Sequence, residues 1–374
     1  MWLFVLIKQT TFLLSLLNAN PILDISLKKN KQMKNLLTTL LLLICLTSFG
    51  QVTFTNAPQN KQLVARNLNT NLGTVNISGT VNNTGVNYDA IEVVVVRGGL
   101  FEDSRTTENL SFSGNTAPFD IDVTINAELT NYTITVNGLT GANATQIMQA
   151  TEVVAGDVFI VQGQSNAEAN SRNGSANANQ SNFIRVYASG AENGTNLQNN
   201  DNWFIAEGDR HKDIDGNAGQ WGLKLARMLM DDLQIPIAIF NGAHGGQAIE
   251  FFQAPGDYTT STNSNYGRMY YRLNKTGLKD NVRAILWSQG EANSFGSGLA
   301  TQSYINLFNN LKAAWLNDSP NIEHFYIFQT RDCDCGTTAQ GRLKIKEAQR
   351  LLALNDPDIS IMPTTGMTLH NDNC

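Results

Sequence analysis

The stretch VFIVQGQSN, residues 158–166, carries the most direct evidence for the fold class of this sequence. Its first half, Val158–Val161, is a short continuous apolar run typical of a strand buried on both faces. Its second half places Ser165 two residues after Gly163, a spacing that can hold a hydroxyl exposed on a tight turn. The G-x-S-x-G pattern is incomplete, because alanine occupies position 167. The stretch therefore predicts a buried strand followed by either a candidate nucleophile or a plain turn.

From Gly156 onward, short apolar strands alternate with segments of helical periodicity. The predicted strands are Ile235–Phe240, Val282–Trp287, Phe325–Gln329 and Ile359–Met362, and the predicted helices are Gly219–Leu233, a segment around Tyr304–Trp315, and Gly341–Leu354. This alternation indicates an α/β fold with a parallel sheet covered on both faces. Ligand sites in such sheets form at the carboxyl ends of the strands, so we expect the chemistry in the loops that follow them.

Two further strand ends carry polar, glycine-containing loops. The first reads NGAHGGQ at 241–247, where Gly245 and Gly246 would permit close backbone approach to a ligand, with a flexible turn as the alternative. The second reads SQGEAN at 288–293, where Gln289 offers an uncharged amide donor suited to an oxyanion. Together with Ser165, these loops supply a nucleophile, a backbone donor and a side-chain donor, which are the parts needed for acyl transfer.

Residues 51–150 show a different pattern, with β-branched runs bounded by Asn, Gly, Asp or Pro. The predicted strands there are Leu72–Val81, Ile91–Arg97, Phe119–Asn126 and Tyr132–Leu139. Their spacing predicts a small β-sandwich domain with a structural or sugar-contacting role, because no titratable cluster stands out. The predicted domains are therefore a leader at 1–50, a β-sandwich at 51–150 and an α/β domain at 151–374.

The first fifty residues are interpreted as a leader. From Met33, a lysine, an apolar run and small residues up to Gly50 follow the order of a secretory signal peptide, and the run is too short to span a bilayer. Residues 1–32 are read as an overlong gene start, with a membrane anchor as the alternative. Lipid attachment at Cys45 is disfavoured, because large apolar residues precede it. The sequence thus predicts a secreted or periplasmic protein without stable membrane insertion after signal removal.

Composition narrows the classes of partner. Only 16% of the residues are charged and the formal net charge is -6, so no positive field exists to bind nucleic acid. Cys333, Cys335 and Cys374 would remain after leader removal, and a bond from Cys374 to one of the other two is the preferred pairing. A metal site at the C-x-C pair is disfavoured, since no His pair stands nearby at ligand spacing.

The motifs GQSN at 163–166, NGAHGG at 241–246 and WSQGEAN at 287–293 resemble those of the SGNH hydrolases, specifically the sialate O-acetylesterase and acetyl xylan esterase branch. The resemblance covers roughly 152–374 and implies a three-layer α/β/α sandwich with a parallel sheet. It implies Ser165 as nucleophile, with oxyanion donors from Ser165 N–H, a glycine of Gly245–Gly246 (Gly246 favoured) and Gln289. Asn166 and Glu291 would contact substrate or support the site.

The family's chain ends in D-x-x-H, where the aspartate orients the histidine that activates the serine. Asp372 matches the aspartate, and the matching histidine would fall one residue beyond Cys374. His370 precedes the aspartate and does not fit the motif. The resemblance therefore leads us to expect a hydrolase domain that is incomplete at its C-terminus and inactive as given.

Taken together, the sequence predicts a secreted serine esterase that removes O-acetyl groups from carbohydrate, of sialic acid or hemicellulose type, without a metal or organic cofactor. The alternative is a non-catalytic secreted protein for carbohydrate binding or adhesion, built on a degenerate hydrolase domain. A phosphoesterase or peptidase is disfavoured, because the three loops present no cationic or metal-ligand cluster near Ser165.

Overall fold

The computed structural model describes residues 51–170, 175–190, 193–331 and 336–364. The predicted leader at 1–50 lies outside the described residues. So do Cys333, Cys335 and Cys374, and so does Asp372, the aspartate of the predicted triad.

The first part of the described chain consists of β-strands, most of which pair antiparallel and several of which show alternating burial. Its strands are β1 (Val52–Asn56), β2 (Leu63–Ala65), β3 (Leu72–Asn82), β4 (Ala90–Arg97), β5 (Phe101–Asn109), β6 (Thr116–Asn126) and β7 (Tyr132–Thr140). In β6 every second side chain is buried, because successive residues of a strand point to opposite faces. One sheet has the order β1-β3-β6, while β4 pairs with β5 and β7 in another. Apolar side chains from both sheets, such as Ile121 and Val93, belong to one core cluster.

The strand β8, Asn143–Gly163, connects the two parts of the chain and is 21 residues long. Its first half pairs antiparallel with β7. Val154–Gly156 then pair with β2, and the segment from Asp157 to Gly163 pairs in parallel with the strands of the second part. The boundary predicted between residues 150 and 151 falls inside this strand.

The second part is a mixed α/β fold in which β8 is the middle strand of a sheet ordered β10-β9-β11-β8-β12-β13-β14. All of these neighbours pair in parallel except β10, which is antiparallel to β9. The remaining strands are β9 (Ile184–Tyr187), β10 (Trp203–Ile205), β11 (Ile237–Asn241), β12 (Val282–Ser288), β13 (His324–Phe328) and β14 (Ile359–Met362). The carboxyl ends of β8, β11 and β12, the three strands with the motif loops, therefore meet at one edge.

Helices cover this sheet and leave its carboxyl edge to the loops. They are α1 (Ser165–Glu168), α2 (Gly194–Asn199), α3 (Gln220–Leu233), α4 (Asn265–Lys275), α5 (Thr301–Asp318) and α6 (Ala339–Asn355). Alternate residues of β8 enter two core clusters. Phe159 and Val161 lie in the cluster that contains the apolar face of α3, whereas Val158 and Ile160 lie in the cluster shared by α4, α5 and α6. No helix in the described part of the chain is long and apolar enough to cross a membrane.

Candidate active site

Ser165 lies directly beyond the end of β8, as the first residue of α1, and it is exposed. The turn before it depends on Gly163, whose φ is 133°; a Cβ there would stand 2.0 Å from the carbonyl oxygen of Ser288. Only glycine therefore lets the ends of β8 and β12 lie this close. The N–H of Gln164 donates to the same Ser288 oxygen at 2.9 Å, which fixes the serine against β12.

The side chain of Gln164 joins the serine turn to the loop after β12. It is buried, and its Oε1 accepts the N–H groups of Gly290 at 3.1 Å and Ala292 at 3.2 Å. The sequence analysis gave this residue no role, although it stands inside the GQSN motif. A buried amide that binds two backbone groups from a distant loop leaves no periodic signal in a sequence.

The loop after β11 wraps around the serine turn. Asn241 is buried, and its Nδ2 donates to the carbonyl oxygens of Ala167 and Ala218, each at 3.1 Å. The N–H of His244 donates to the carbonyl oxygen of Gly163 at 2.8 Å. These contacts bring the first two predicted loops together beside Ser165, as a shared carboxyl edge requires.

The two glycines of this loop differ in their partners. Gly245 donates its N–H to Oε2 of Glu168 at 2.7 Å. Gly246 is exposed with a φ of 76°, and a Cβ there would meet nothing within 4 Å. No acceptor in the described part of the chain binds the N–H of Gly246 or that of Ser165. Of the predicted pair, Gly246 is thus the glycine whose N–H is available to a substrate oxygen.

Gln289 is buried, and both the nitrogen and the oxygen of its side-chain amide form hydrogen bonds. Its Nε2 donates to the carbonyl oxygen of Gln247 at 3.2 Å and to Oδ1 of Asn293 at 2.6 Å, while Oε1 accepts the hydroxyl of Tyr304 at 2.9 Å. The amide nitrogen thus lies at the loop that follows β11. It can bind an oxyanion only by giving up the longer of its two bonds, the one to Gln247.

Asn166 and Glu291 form a second link between the serine turn and the loop after β12. Nδ2 of Asn166 donates to Oε1 of Glu291 at 3.1 Å. The carboxyl of Glu291 is buried, and its Oε2 has no hydrogen-bond partner among the described residues. Burial disfavours the charged form and raises the pKa of Glu291.

Among the described residues, no side chain hydrogen-bonds the hydroxyl of Ser165. The ring of His244 packs against Phe251 with ring centres 4.9 Å apart. The predicted orienting residue, Asp372, lies outside the described residues. Within the described ranges no group of three or more His, Cys, Asp or Glu residues could hold a metal ion.

Known proteins with similar sequence or fold include carbohydrate esterases. Residues 155–374 match the sequence model of a family described as carbohydrate esterase, sialic acid-specific acetylesterase. A carbohydrate acetylesterase from Xanthomonas citri has a similar structure, with 18% sequence identity, a TM-score of 0.54, and coverage of 83% of this chain and 68% of that one. A protein from Arabidopsis thaliana matches with 19% identity, a TM-score of 0.43, and coverage of 58% and 89%. No match was found among curated proteins. The family match confirms the resemblance carried by the three motifs.

Proposed function

Because this chain belongs to the sialic acid-specific acetylesterase family of carbohydrate esterases, we propose that it is a secreted serine esterase that removes O-acetyl groups from carbohydrate by acyl transfer through Ser165. The Xanthomonas structure supports the fold, and the family match supports carbohydrate deacetylation. The finer architecture that we propose is the three-layer α/β/α sandwich of SGNH hydrolases, preceded by a β-sandwich domain.

The observation that carries the proposal is the surroundings of Ser165. The residue is exposed at the carboxyl end of the middle strand of a parallel sheet. Its own N–H and that of Gly246 have no acceptor among the described residues, and the amide of Gln289 lies at the same loop. An exposed hydroxyl beside unsatisfied donors is the arrangement that acyl transfer requires.

In the proposed reaction, the oxygen of Ser165 attacks the acetyl carbonyl and its proton passes to a general base, a role that the family resemblance gives to a histidine oriented by the aspartate that Asp372 matches. The tetrahedral oxyanion accepts hydrogen bonds from Ser165 N–H, Gly246 N–H and Gln289 Nε2. Collapse expels the sugar hydroxyl, which takes the proton back from the base and leaves an acetyl-enzyme. Water, activated by the same base, then releases acetate and restores the serine.

The test is Ser165→Ala, assayed for acetate release from p-nitrophenyl acetate and from acetylated carbohydrate. We expect activity to fall to background while the variant stays folded, because an exposed hydroxyl contributes little to stability. The matched control is Ser111→Ala, an exposed serine in the strand-only part of the chain, which should retain activity. Full activity of Ser165→Ala would remove this serine from the mechanism.

A further inference from the structure

Glu168 is a buried carboxylate beside the nucleophile that the sequence analysis did not single out. It is the last residue of α1, three positions after Ser165, and its side chain is 5% exposed. Helix α1 comprises only four residues, which is too short to have an amphipathic face. Helix amphipathicity therefore does not explain the burial of Glu168. Burial of a charged side chain is unfavourable unless partners compensate it, so its contacts indicate its purpose.

Three donors, two of them from distant segments, converge on this carboxylate. Gly245 donates its N–H to Oε2 at 2.7 Å. Nζ of Lys212, itself 8% exposed, lies 3.4 Å from the same oxygen and balances its charge. Nδ2 of Asn170 donates to Oε1. A hydrogen bond to an ionised acceptor is shorter and stronger than a neutral one, and the Gly245 bond has the length expected of that class.

The position of Gly245 explains why this bond concerns catalysis. A Cβ built on Gly245 would lie 3.6 Å from Cβ of Ser165 and 3.1 Å from Oε2 of Glu168, so this residue is in contact with both the nucleophile and the carboxylate. The next N–H along the chain belongs to Gly246, the proposed oxyanion donor. The N–H of Gly245 belongs to the His244–Gly245 peptide, so its bond to Glu168 fixes the peptide immediately before the one that carries the Gly246 N–H.

We infer that Glu168 is a positioning residue, which holds the glycine loop through Gly245 so that the N–H of Gly246 faces the oxyanion formed at Ser165. The inference rests on the proposed function. It assigns the two neighbouring glycines different tasks: Gly245 anchors the loop on the carboxylate, and Gly246 binds the substrate oxygen. Lys212 places a cation 3.4 Å from the anchoring carboxylate.

The test compares Glu168→Ala, Glu168→Gln and Glu168→Asp by kcat, KM and melting temperature. Glu168→Ala should lower kcat by about 10²-fold with KM nearly unchanged, because a donor misplaced by about 1 Å weakens transition-state binding specifically. Glu168→Gln keeps an oxygen that accepts the Gly245 N–H, and it should recover at least about tenfold of that loss.

Glu168→Asp distinguishes a specific loss of kcat from a loss of activity caused by unfolding. It retains the charge that pairs with Lys212 but withdraws the acceptor from Gly245 by about 1.5 Å, the length of one C–C bond. We expect a melting temperature close to that of the wild type and a kcat lowered by about tenfold or more. Wild-type kcat in a folded Glu168→Asp, or equal losses in the Gln and Ala variants, would overturn the inference.

The matched control is Asp157→Ala. Asp157 is a carboxylate of similar burial that accepts both donors of Arg66 at 2.9 Å, at the start of the parallel segment of β8 that ends at Gly163. Its loss should lower stability and leave the kcat of the folded protein unchanged. Ser165→Ala is measured alongside: full activity there overturns the proposed function, whereas its inactivity with wild-type kcat in Glu168→Asp overturns only the role of Glu168.

Discussion

Nδ2 of Asn241 donates to the carbonyl oxygen of Ala167 at 3.1 Å, so the last residue of β11 holds the short helix that begins at Ser165. The two residues are 74 positions apart. Oδ1 of the same side chain accepts the N–H of Ala243 at 3.0 Å, and a further donation reaches Ala218. One buried amide thereby joins the nucleophile turn and the glycine loop in a fixed relation.

Replacing Asn241 by alanine should therefore reduce both stability and turnover. Three backbone groups would lose their partner in a buried place, and each such loss costs about 1–3 kcal/mol. We expect the free energy of unfolding, measured with urea, to fall by at least about 2 kcal/mol. Asn310→Ala, a change of an exposed residue on α5, serves as control and should stay within about 0.5 kcal/mol. A stable and fully active Asn241→Ala would contradict the joining role.

Gly163→Ala should destabilise the protein more than Gly246→Ala, because only the first change creates a steric clash in addition to an unfavourable φ. At Gly163 a Cβ would meet the carbonyl oxygen of Ser288 at 2.0 Å, so the strand ends must part. We expect a loss of more than about 2 kcal/mol in urea unfolding, together with loss of esterase activity. At Gly246 the same Cβ meets nothing within 4 Å, and only the left-handed φ costs about 1 kcal/mol. Equal destabilisation by the two changes would contradict this account.

Gln289→Ala should lower turnover by about 10²–10³, the effect of losing one oxyanion donor. Its companion is Tyr304→Phe, which deletes the hydroxyl that binds Oε1 of Gln289 at 2.9 Å and leaves the donating nitrogen in place. We expect Tyr304→Phe to cost about 1 kcal/mol of stability and less than tenfold in kcat. Unchanged turnover in Gln289→Ala would rule out the donor role. A loss in Tyr304→Phe as large as in Gln289→Ala would show that orientation alone matters.

Glu291→Gln should change how stability depends on pH. Because burial raises the pKa of Glu291, the folded protein holds this proton more tightly than the unfolded chain does. Stability from this group is complete below its unfolded pKa of about 4.3 and is lost as pH rises toward the folded pKa. The free energy of unfolding of Glu291→Gln relative to the wild type should therefore increase from pH 4 to neutrality.

The control for this pH series is Glu347→Gln. Hydrogen bonds from Arg350 lower the pKa of Glu347, so its stabilising contribution is present above the unfolded pKa and is lost as pH falls. The difference between Glu347→Gln and the wild type should run in the opposite direction. A flat difference curve for Glu291→Gln between pH 4 and 7 would contradict the burial of an uncompensated carboxyl.

The sequence predicted those elements whose own residues carry the signal. Several elements lie close to their predicted bounds: strands β11, β12 and β13 and helices α3, α5 and α6. Their continuous apolar runs or helical periodicity can be recognised without knowledge of the tertiary structure. Strand β5 was missed, since its mostly exposed residues FEDSRTTEN form no apolar pattern. Helix α4 was missed because arginine and asparagine interrupt its apolar residues.

The residues of the candidate site likewise fall into those that the sequence identified and those that it did not. The three loops could be found because serine, paired glycines and glutamine follow predicted strands. The roles of Asn241, Gln164 and Glu168 arise from hydrogen bonds to segments 74 to 128 positions away. Such contacts exist only after the sheet has formed, so local sequence contains no trace of them. The boundary drawn at 150 followed a change of periodicity, which a single strand can cross.

That strand, β8, belongs to both parts of the described chain. Its first half pairs antiparallel with β7, and its second half is the middle strand of the sheet in the second part. The strand ends two residues before Ser165. A domain exchange with its junction at residue 150 would therefore divide the strand that ends just before Ser165. Such an exchange would need a junction outside β8.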